Sequence, residues 1–492
     1  MKVFKRFILL AGVLAVAGLT SAVSTVRTNR DGKKMYRFII QIQSQVPSQM
    51  LDNLRWLKNN EYDIAGYVWD RGQIEVITDD AGLQKLKAKN IKGFIKGQKQ
   101  VGVEVSGIDS RYLTSQKVEQ KLRQLAAQYN QLTRIEQIGT SLQGRPILAM
   151  LISTTPNPQD PKYLEKPSII FDGMHHAREI MTSEIVMDVA ESILTAKAQK
   201  ASPKVTAMLD QWNIWVVPML NVDGNNIVWT QDSYWRKNAR AESGSAFGVD
   251  LNRNYSYRWS NCGGSSNSKG AQDYHGASAS SEPETKALSS LGQMVRPVAS
   301  LSYHSYSELV LFPYSCEGAV TGENELVAGV ATMMAKALPS DSGSGNYRAG
   351  TPWQLLYPVD GDSMSYMFSE FGSLALTMEV NQEFQPDYSL REPTLIKHRA
   401  AWAKFLQFST ANLLKLTVLD ARTGKSVAAQ IKIATIQQKQ GEKPFQTNAA
   451  GNFFKVLKTG AYNVQAVTAD GRTANISVEM SGTPKVVQLQ IP

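Results

Sequence analysis

Residues 173–179 contain two histidines and a glutamate, His175, His176 and Glu179, and they begin two positions after the apolar run 167–171. A histidine and a glutamate three residues apart can bind one metal ion together where a strand ends. The chain has only five histidines, so two in one segment make it the first candidate for metal chemistry. The spacing alone is weak support, because most such pairs are surface residues.

A further candidate ligand, His304, closes another apolar run within residues 300–306. A strand there would place its side chain at the carboxyl edge of a sheet. A zinc hydrolase needs about three protein ligands, an open position for water, a base for that water and a positive charge for the oxyanion. Taken alone, His304 is more typical of a hydrogen-bonded core histidine.

The composition of the chain limits its class. At 492 residues it is too long for one core, and 42% hydrophobic with 20% charged residues is typical of globular domains. The net charge of +10 lies mainly at the two ends, since residues 415–492 alone carry ten Lys/Arg against four Asp/Glu. The middle of the chain is nearly neutral, so we expect no nucleic-acid partner.

Residues 1–22 are typical of a secretory signal, with a basic start, an apolar stretch and a small-residue exit. The apolar stretch is short for a membrane helix, and no other segment approaches a membrane span; an uncleaved anchor is the alternative. We therefore expect a secreted or periplasmic protein without a stable membrane span. Export would permit a disulfide between Cys262 and Cys316, and two buried thiols are the alternative.

Residue periodicity divides the rest of the chain into three units. Residues 23–107 alternate two strand patterns with two helix patterns and end in a connector, which predicts a small α+β domain. Residues 108–414 alternate long amphipathic helices with short apolar strands, which predicts an α/β domain with a mixed sheet flanked by helices. Residues 415–492 carry short alternating strands with turn signals, which predicts an all-β sandwich.

Several motifs in the α/β unit stand in a fixed order around His304, at residues 144–147, 234–237, 248–255, 357 and 376–380. Together with residues 173–179 they resemble the zinc metallocarboxypeptidases of the pancreatic carboxypeptidase A/B type. The resemblance extends over residues 112–414. It implies an enzyme that removes the last residue from the C-terminus of peptides and proteins.

The resemblance also implies one Zn²⁺ per chain. His176, Glu179 and His304 match the family's zinc ligands, and Asp250 matches the carboxylate that orients the first histidine. His175 cannot take the place of His176 in this motif, because an arginine and not an acid stands three residues beyond it.

Two further positions match catalytic groups of that family. Glu379 matches the general base and proton shuttle for the zinc-bound water. A carboxylate that closes an apolar strand would otherwise be an expensive placement. Arg236 matches the group that polarises the scissile carbonyl and stabilises the oxyanion.

Substrate binding is implied for five more residues. Asn252 and Arg253, with a mobile Tyr357, match the clamp for the free terminal carboxylate, a task that suits the paired donors of a guanidinium. Arg178 and Tyr306 match positions that contact residues further along the substrate. Without the resemblance, surface ion pairing would be the better interpretation of the arginines.

The preference for the terminal side chain is predicted from residues 361–366. Met364 stands where basic-residue-specific members of the family carry an acid, which favours an apolar terminal residue. Asp360, Asp362 and Ser365 depart from the family's frequent residues, so the specificity stays open at this point. The catalytic set is unaffected by these departures.

The flanking units also resemble known companions of such enzymes. Residues 35–100 resemble the inhibitory prosegment that covers the cleft until an activating protease cuts the connector; a permanently attached accessory domain is the alternative. The C-terminal unit resembles a transthyretin-like sandwich. Its net charge of +6 suits it either to bind an anionic surface or partner, or merely to stay soluble.

The sequence thus predicts a secreted zinc carboxypeptidase made as a zymogen. One alternative is a metallo-amidase of the same fold that acts on cell-wall peptides, against which Asn252 and Arg253 argue. The other is a non-enzymatic binding protein on this fold. The presence of Glu379 and of every ligand argues against that alternative.

Overall fold

The computed structural model of the chain describes residues 26–28, 33–42, 47–68, 71–96, 107–199, 203–242, 247–439 and 441–492. The predicted secretory signal and most of the predicted connector lie outside these residues. Among the helices that are described, none has both the length and the apolar character needed to cross a membrane.

The N-terminal unit, residues 26–96, is a five-stranded antiparallel sheet with two helices packed against it. Its elements are β1 (Val26–Thr28), β2 (Lys34–Gln41), α1 (Pro47–Asn59), β3 (Asp63–Val68), β4 (Gln73–Thr78), α2 (Asp80–Ala88) and β5 (Gly93–Ile95). Apolar side chains of both helices and three strands form its small core. The strand patterns at 36–42 and 74–77 lie in β2 and β4, and the two predicted helices lie in α1 and α2.

The sequence pattern did not predict β3. Its centre is Ala65 and Gly66, residue types that favour strands poorly, and the register with β4 shifts by a bulge between Ile64 and Gly66. Both small residues pack against the next unit, and Ala65 belongs to an apolar cluster with Tyr306 and Phe384. A Cβ added at Gly66 would overlap the ring of Tyr306.

The α/β unit, residues 107–412, is built on a mixed sheet of eight strands. In chain order its elements are α3 (Ser115–Gln128), β6 (Thr133–Thr140), β7 (Pro146–Ile152), β8 (Ser168–Gly173), α4 (Ile180–Ala198), α5 (Pro203–Gln211), β9 (Asn213–Val217), α6 (Val222–Thr230), α7 (Pro283–Val295), β10 (Ala299–Ser305), β11 (Leu309–Leu311), α8 (Asn324–Lys336), β12 (Arg348–Gly350), α9 (Pro352–Leu355), α10 (Ser363–Phe371), β13 (Leu374–Val380) and α11 (Arg391–Ala411). The sheet order is β12-β11-β13-β10-β8-β9-β7-β6.

The centre of this sheet is parallel and its margins contain antiparallel pairs. Strands β9, β8, β10 and β13 run parallel to one another, whereas the pairs β6–β7, β7–β9 and β11–β13 are antiparallel. Strands β8 and β10 are buried along their whole length, as expected for the middle of a sheet that is covered on both faces. The predicted mixed sheet flanked by helices is confirmed.

The C-terminal unit, residues 413–492, contains two sheets that share one apolar core. Its strands are β14 (Leu413–Asp420), β15 (Ala429–Ile433), β16 (Phe445–Gln446), β17 (Asn452–Val456), β18 (Gly460–Thr468), β19 (Thr473–Met480) and β20 (Lys485–Ile491). The sheets have the orders β17-β14-β20 and β16-β15-β18-β19. Only Asn412 separates the end of α11 from the start of β14, so helix and strand follow each other without a linker.

Basic residues of the C-terminal unit bind acidic residues of the α/β unit. The Nζ atom of Lys455 lies 2.7 Å from Glu323, and both side chains are buried. Lys458 pairs with Glu325 at the exposed margin of the same interface. Lys415 approaches Glu165 at 4.0 Å and donates to its carbonyl oxygen at 3.0 Å. The positive charge of this unit therefore serves, in part, its attachment to the rest of the chain.

Candidate active site

Neighbouring parallel strands bring the candidate residues to one edge of the central sheet. β8 ends at Gly173, and His176 and Glu179 follow in the turn that leads into α4. β10 pairs with β13 so that His304 lies directly opposite Glu379. Partners in register present their side chains on the same face of a sheet. Residues far apart in sequence thus meet where the parallel strands end.

The three candidate metal ligands converge on one point. The Nδ1 atom of His176 lies 2.6 Å from one oxygen of Glu179, and the Nδ1 atom of His304 lies 3.2 Å from the other. The two Nδ1 atoms are 3.2 Å apart. Within the described part of the chain, these residues form the one group of at least three side chains that could hold a metal ion. All three are buried, and two imidazoles with a carboxylate are a donor set that zinc prefers.

A buried carboxylate fixes the orientation of the first histidine. Asp250 is 0% exposed, and its Oδ1 atom lies 3.2 Å from the Nε2 atom of His176. A carboxylate on the far nitrogen leaves the near nitrogen to face the metal, as in many metal sites of proteins. The residues present therefore fit a zinc ion.

Arg236 contacts the same carboxylate from the other side. Its Nε and Nη2 atoms donate to Oδ2 of Asp250 at 3.1 and 2.9 Å. Burial alone would raise the pKa of Asp250, but the guanidinium groups of Arg236 and Arg253 hold that pKa well below its usual range. The Nη1 atom of Arg236 lies 3.9 Å from Glu179, so this cation borders the metal-binding group.

His175 lies next to the site but faces elsewhere. Its Nε2 atom lies 2.8 Å from the hydroxyl of Tyr255, and its Nδ1 atom lies 3.3 Å from Asp172. Its ring stacks on His304 at a centroid distance of 5.1 Å. The structure thus places His175 beside the metal-binding group and not within it.

A cleft lies beside the three ligands. Nine residues predicted to act in the site line it, namely His176, Glu179, Arg236, Asn252, Arg253, Tyr306, Tyr357, Met364 and Glu379. Arg178, Asp250 and His304 are not among the residues that line it. Burial and the nearby Glu179 carboxylate raise the pKa of Glu379 well above its usual range, although the two arginines of the cleft oppose the shift.

The loop behind Arg253 is fixed by several polar contacts and by the disulfide. The Nε atom of Arg253 donates to the carbonyl oxygen of Gly264 at 3.1 Å. The backbone N–H groups of Cys262 and Gly264 donate to Asp360 at 3.1 and 3.0 Å. Cys262 and Cys316 are bonded to each other, with their Cα atoms 5.8 Å apart. Asp360, which departs from the family pattern, thus supports the loop against which Arg253 rests.

The N-terminal unit covers the cleft. The carboxylate of Asp63 accepts two hydrogen bonds from Arg178, at 2.6 and 2.7 Å. The backbone N–H of Tyr67 donates to the hydroxyl of Ser307 at 3.0 Å. Strand β3 therefore lies across the opening, with Gly66 against the ring of Tyr306.

A lysine of α1 reaches the other side of the cleft. The Nζ atom of Lys58 donates to the carbonyl oxygen of Pro358 at 2.9 Å and lies 5.2 Å from the ring centre of Tyr357. Sequence reasoning identified neither Lys58 nor Asp63, because nothing in their local pattern shows which surface of the N-terminal unit meets the cleft. The only available sign of this contact was the charge of Asp63, the first residue of β3.

The sequence profile of the zinc carboxypeptidase family matches residues 118–399, more than half of the chain. The chain belongs to the zinc carboxypeptidase family. Zinc carboxypeptidase A 1 of Anopheles gambiae is 28% identical over 278 residues, which are 56% of this chain and 60% of the mosquito protein. Human carboxypeptidase B is 27% identical over 312 residues, which are 63% of this chain and 72% of the human protein.

The fold is shared with a solved member of the family. Carboxypeptidase A from Helicoverpa armigera superposes with a TM-score of 0.64 at 20% identity. The superposition covers 76% of this chain and 96% of the insect chain. Such a distant likeness shows the common fold, and the roles of individual residues rest on the geometry of the cleft.

Metal analysis tests the proposed ligand set. We expect about one zinc per native chain, and less than about a tenth of that for His176→Ala or His304→Ala, because two donors do not complete a tetrahedral site. The variant Glu379→Gln should retain the metal, since its side chain lies outside the ligand group. Zinc retained in both histidine variants would contradict the assignment.

Proposed function

We propose that this member of the family is a secreted carboxypeptidase that hydrolyses the last peptide bond of peptides and proteins. The observation that carries the proposal is the shared cleft. Asn252, Arg253 and Tyr357 line the same space as Glu379 and the metal-binding group. A binding group for a terminal carboxylate beside a hydrolytic centre selects the end of a chain over its interior.

The water that attacks the peptide bond needs a base. Zinc, when bound by His176, Glu179 and His304, supplies a Lewis acid and lowers the pKa of water. Glu379 takes the proton from the attacking water and later gives it to the departing amine. The register between β10 and β13 pairs Glu379 with His304, which supports this role for the carboxylate.

The negative charge that develops on the carbonyl oxygen needs a fixed positive charge. Arg236 supplies it, because its guanidinium borders Glu179 and is held by two hydrogen bonds to Asp250. A cation that is already oriented does not have to reorganise during the reaction. Asp250 therefore acts on catalysis by positioning both Arg236 and His176.

The terminal carboxylate of the substrate binds at Arg253. Gly264 and the backbone oxygen of Asn252 accept hydrogen bonds from Nε and Nη1 of this guanidinium, which fix its plane. The remaining N–H groups can then bind two carboxylate oxygens. The hydroxyl of Tyr357 closes the clamp when the substrate is present.

Met364 supports a preference for apolar terminal side chains. It lines the cleft from the first turn of α10 and is only 3% exposed. Burial of an apolar side chain against it is favourable by roughly 25 cal/mol per Å². The neighbouring carboxylate of Asp362 also lines this pocket.

We also propose that the N-terminal unit keeps the enzyme latent until a protease cuts the connector between it and the α/β unit. Asp63 occupies Arg178, and Lys58 lies on Tyr357, so two proposed substrate-binding groups are engaged. Strand β3 blocks the path of a peptide between them. The secretory signal at residues 1–22 would bring the chain to its activating protease outside the cytoplasm.

A panel of blocked dipeptides that differ in their last residue tests the proposed reaction. After cleavage of the connector we expect release of apolar C-terminal residues, and Glu379→Gln should lower kcat by a factor of about 10³ because the base is lost. Hydrolysis of peptides with amidated C-termini at equal rates would contradict an exopeptidase. A strong preference for terminal Lys or Arg would contradict the role of Met364.

Substitution of Asp63 tests whether its contact with Arg178 keeps the enzyme latent. In Asp63→Asn the buried guanidinium loses its charged partner, so we expect the ratio of uncut to cut activity to be about tenfold higher than in the native protein. Asp52→Asn is the matched control, since Asp52 is an exposed acid on α1 of the same unit. Equal activity of the uncut native and Asp63→Asn chains would argue that the N-terminal unit is only an accessory domain.

The pH dependence of latency follows from Lys58. Burial, together with the guanidinium of Arg253, lowers the pKa of Lys58 from 10.5 to about 8 when the unit is docked. Docking therefore favours the neutral amine, so latency should be constant below about pH 8 and become tighter between pH 8 and 10.5. The measurement is the activity ratio of uncut to cut enzyme across this range. Lys58→Met should remove this pH dependence. An unchanged pH dependence in Lys58→Met would refute the role of Lys58.

A further inference from the structure

The pocket for the terminal side chain has a back wall made of two segments. One is α10, whose first turn carries Met364. The other precedes the disulfide and carries Ser315, which also lines the cleft. The hydroxyls of Ser315 and Ser365 lie 3.2 Å apart, so the two segments touch beneath the pocket.

Tyr314 fills the space directly behind this wall. It is 1% exposed. Its ring stacks on Tyr257 at a centroid distance of 4.8 Å and meets Phe368 of α10 edge-on at 5.5 Å. A shift of Tyr314 would therefore move both segments of the wall, since interiors of this density transmit displacement.

The hydroxyl of Tyr314 is held by the C-terminal unit. It donates to Oε1 of Glu442 at 2.6 Å, a short hydrogen bond to a charged acceptor. Glu442 is fixed in turn, because its Oε2 atom accepts the backbone N–H of Lys439 at 3.0 Å. The next residue, Lys443, donates its backbone N–H to the carbonyl oxygen of Ser369 on α10 at 2.8 Å. The segment between β15 and β16 thus contacts the wall at two points.

The far end of α10 is held by the same unit. The Nζ atom of Lys455 donates to the carbonyl oxygen of Gly372 at 2.7 Å, just beyond the last residue of the helix. The buried pair of Lys455 with Glu323 fixes this ammonium. The helix that carries Met364 is therefore bound to the C-terminal unit at two backbone carbonyl groups, those of Ser369 and Gly372.

We infer that the C-terminal unit positions the wall of the substrate pocket and that Glu442 is the positioning residue through which it does so. The inference rests on the proposed carboxypeptidase activity. Loss of the carboxylate charge weakens the bond to Tyr314 and lets its ring and α10 shift, so the terminal side chain binds less well. Among the hydrogen bonds and ion pairs of the described residues, none joins Glu442 or Tyr314 to Glu379, Arg236 or the zinc ligands, so the chemical step stays intact.

Kinetics of the full-length chain after connector cleavage test this inference. We expect Glu442→Gln to raise KM for a blocked dipeptide with an apolar last residue by about fivefold, with kcat changed by less than about twofold. Tyr314→Phe should likewise raise KM and leave kcat nearly unchanged. The KM of the double variant should not exceed that of either single variant, because each substitution disrupts the same hydrogen bond. Glu479→Gln, an exposed acid on β19, is the matched control.

Hydrogen exchange of residues 363–371 gives a second measurement that needs no activity. Their amides should exchange faster in Glu442→Gln than in the native chain or in Glu479→Gln. Unchanged KM and unchanged exchange in both Glu442→Gln and Tyr314→Phe would overturn the inference. If the native enzyme cleaves no peptide at all, the proposed function fails, while faster exchange would still support the positioning of the wall.

Discussion

One buried carboxylate holds the active site together. Asp250 has no exposed surface, and it binds His176 on one oxygen and Arg236 on the other. A charge without water is costly unless it is fully paired, so its partners cannot leave independently. The backbone N–H of Asn252 also donates to Asp250, at 2.9 Å. The residues proposed for metal binding, oxyanion stabilisation and the carboxylate clamp are thus all held by the same carboxylate.

The features that could be predicted from the sequence are those that depend on local residue patterns. Apolar runs predicted the central strands, and the spacing in residues 173–179 predicted two candidate metal ligands, which lie together with His304 in the structure. The role of Glu379 came from family resemblance, because its proximity to His304 depends on a strand register that no local pattern contains. Strand β3 was missed, since the small residues that let it pass Tyr306 are the ones that weaken a strand pattern. Burial of Gly66 against a ring is visible only after the units are docked.

Each flanking unit is attached to the α/β unit by a buried ion pair. The N-terminal unit contributes Asp63, which pairs with Arg178, and a small apolar cluster that includes Ala65 and Phe384 adds to this contact. The C-terminal unit contributes Lys455, which pairs with Glu323. Removing one partner of such a pair leaves a charge without solvent, so each pair ties its unit firmly to the α/β unit.

The junction between α11 and β14 has a geometric consequence. Asn412 donates its backbone N–H to Phe408 at 3.0 Å and accepts from Leu457 at 2.9 Å, so it belongs at once to the helix and to the sheet. Rotation at this point would break the last turn of the helix. Any surface that holds the C-terminal unit would therefore also set the direction in which the cleft opens.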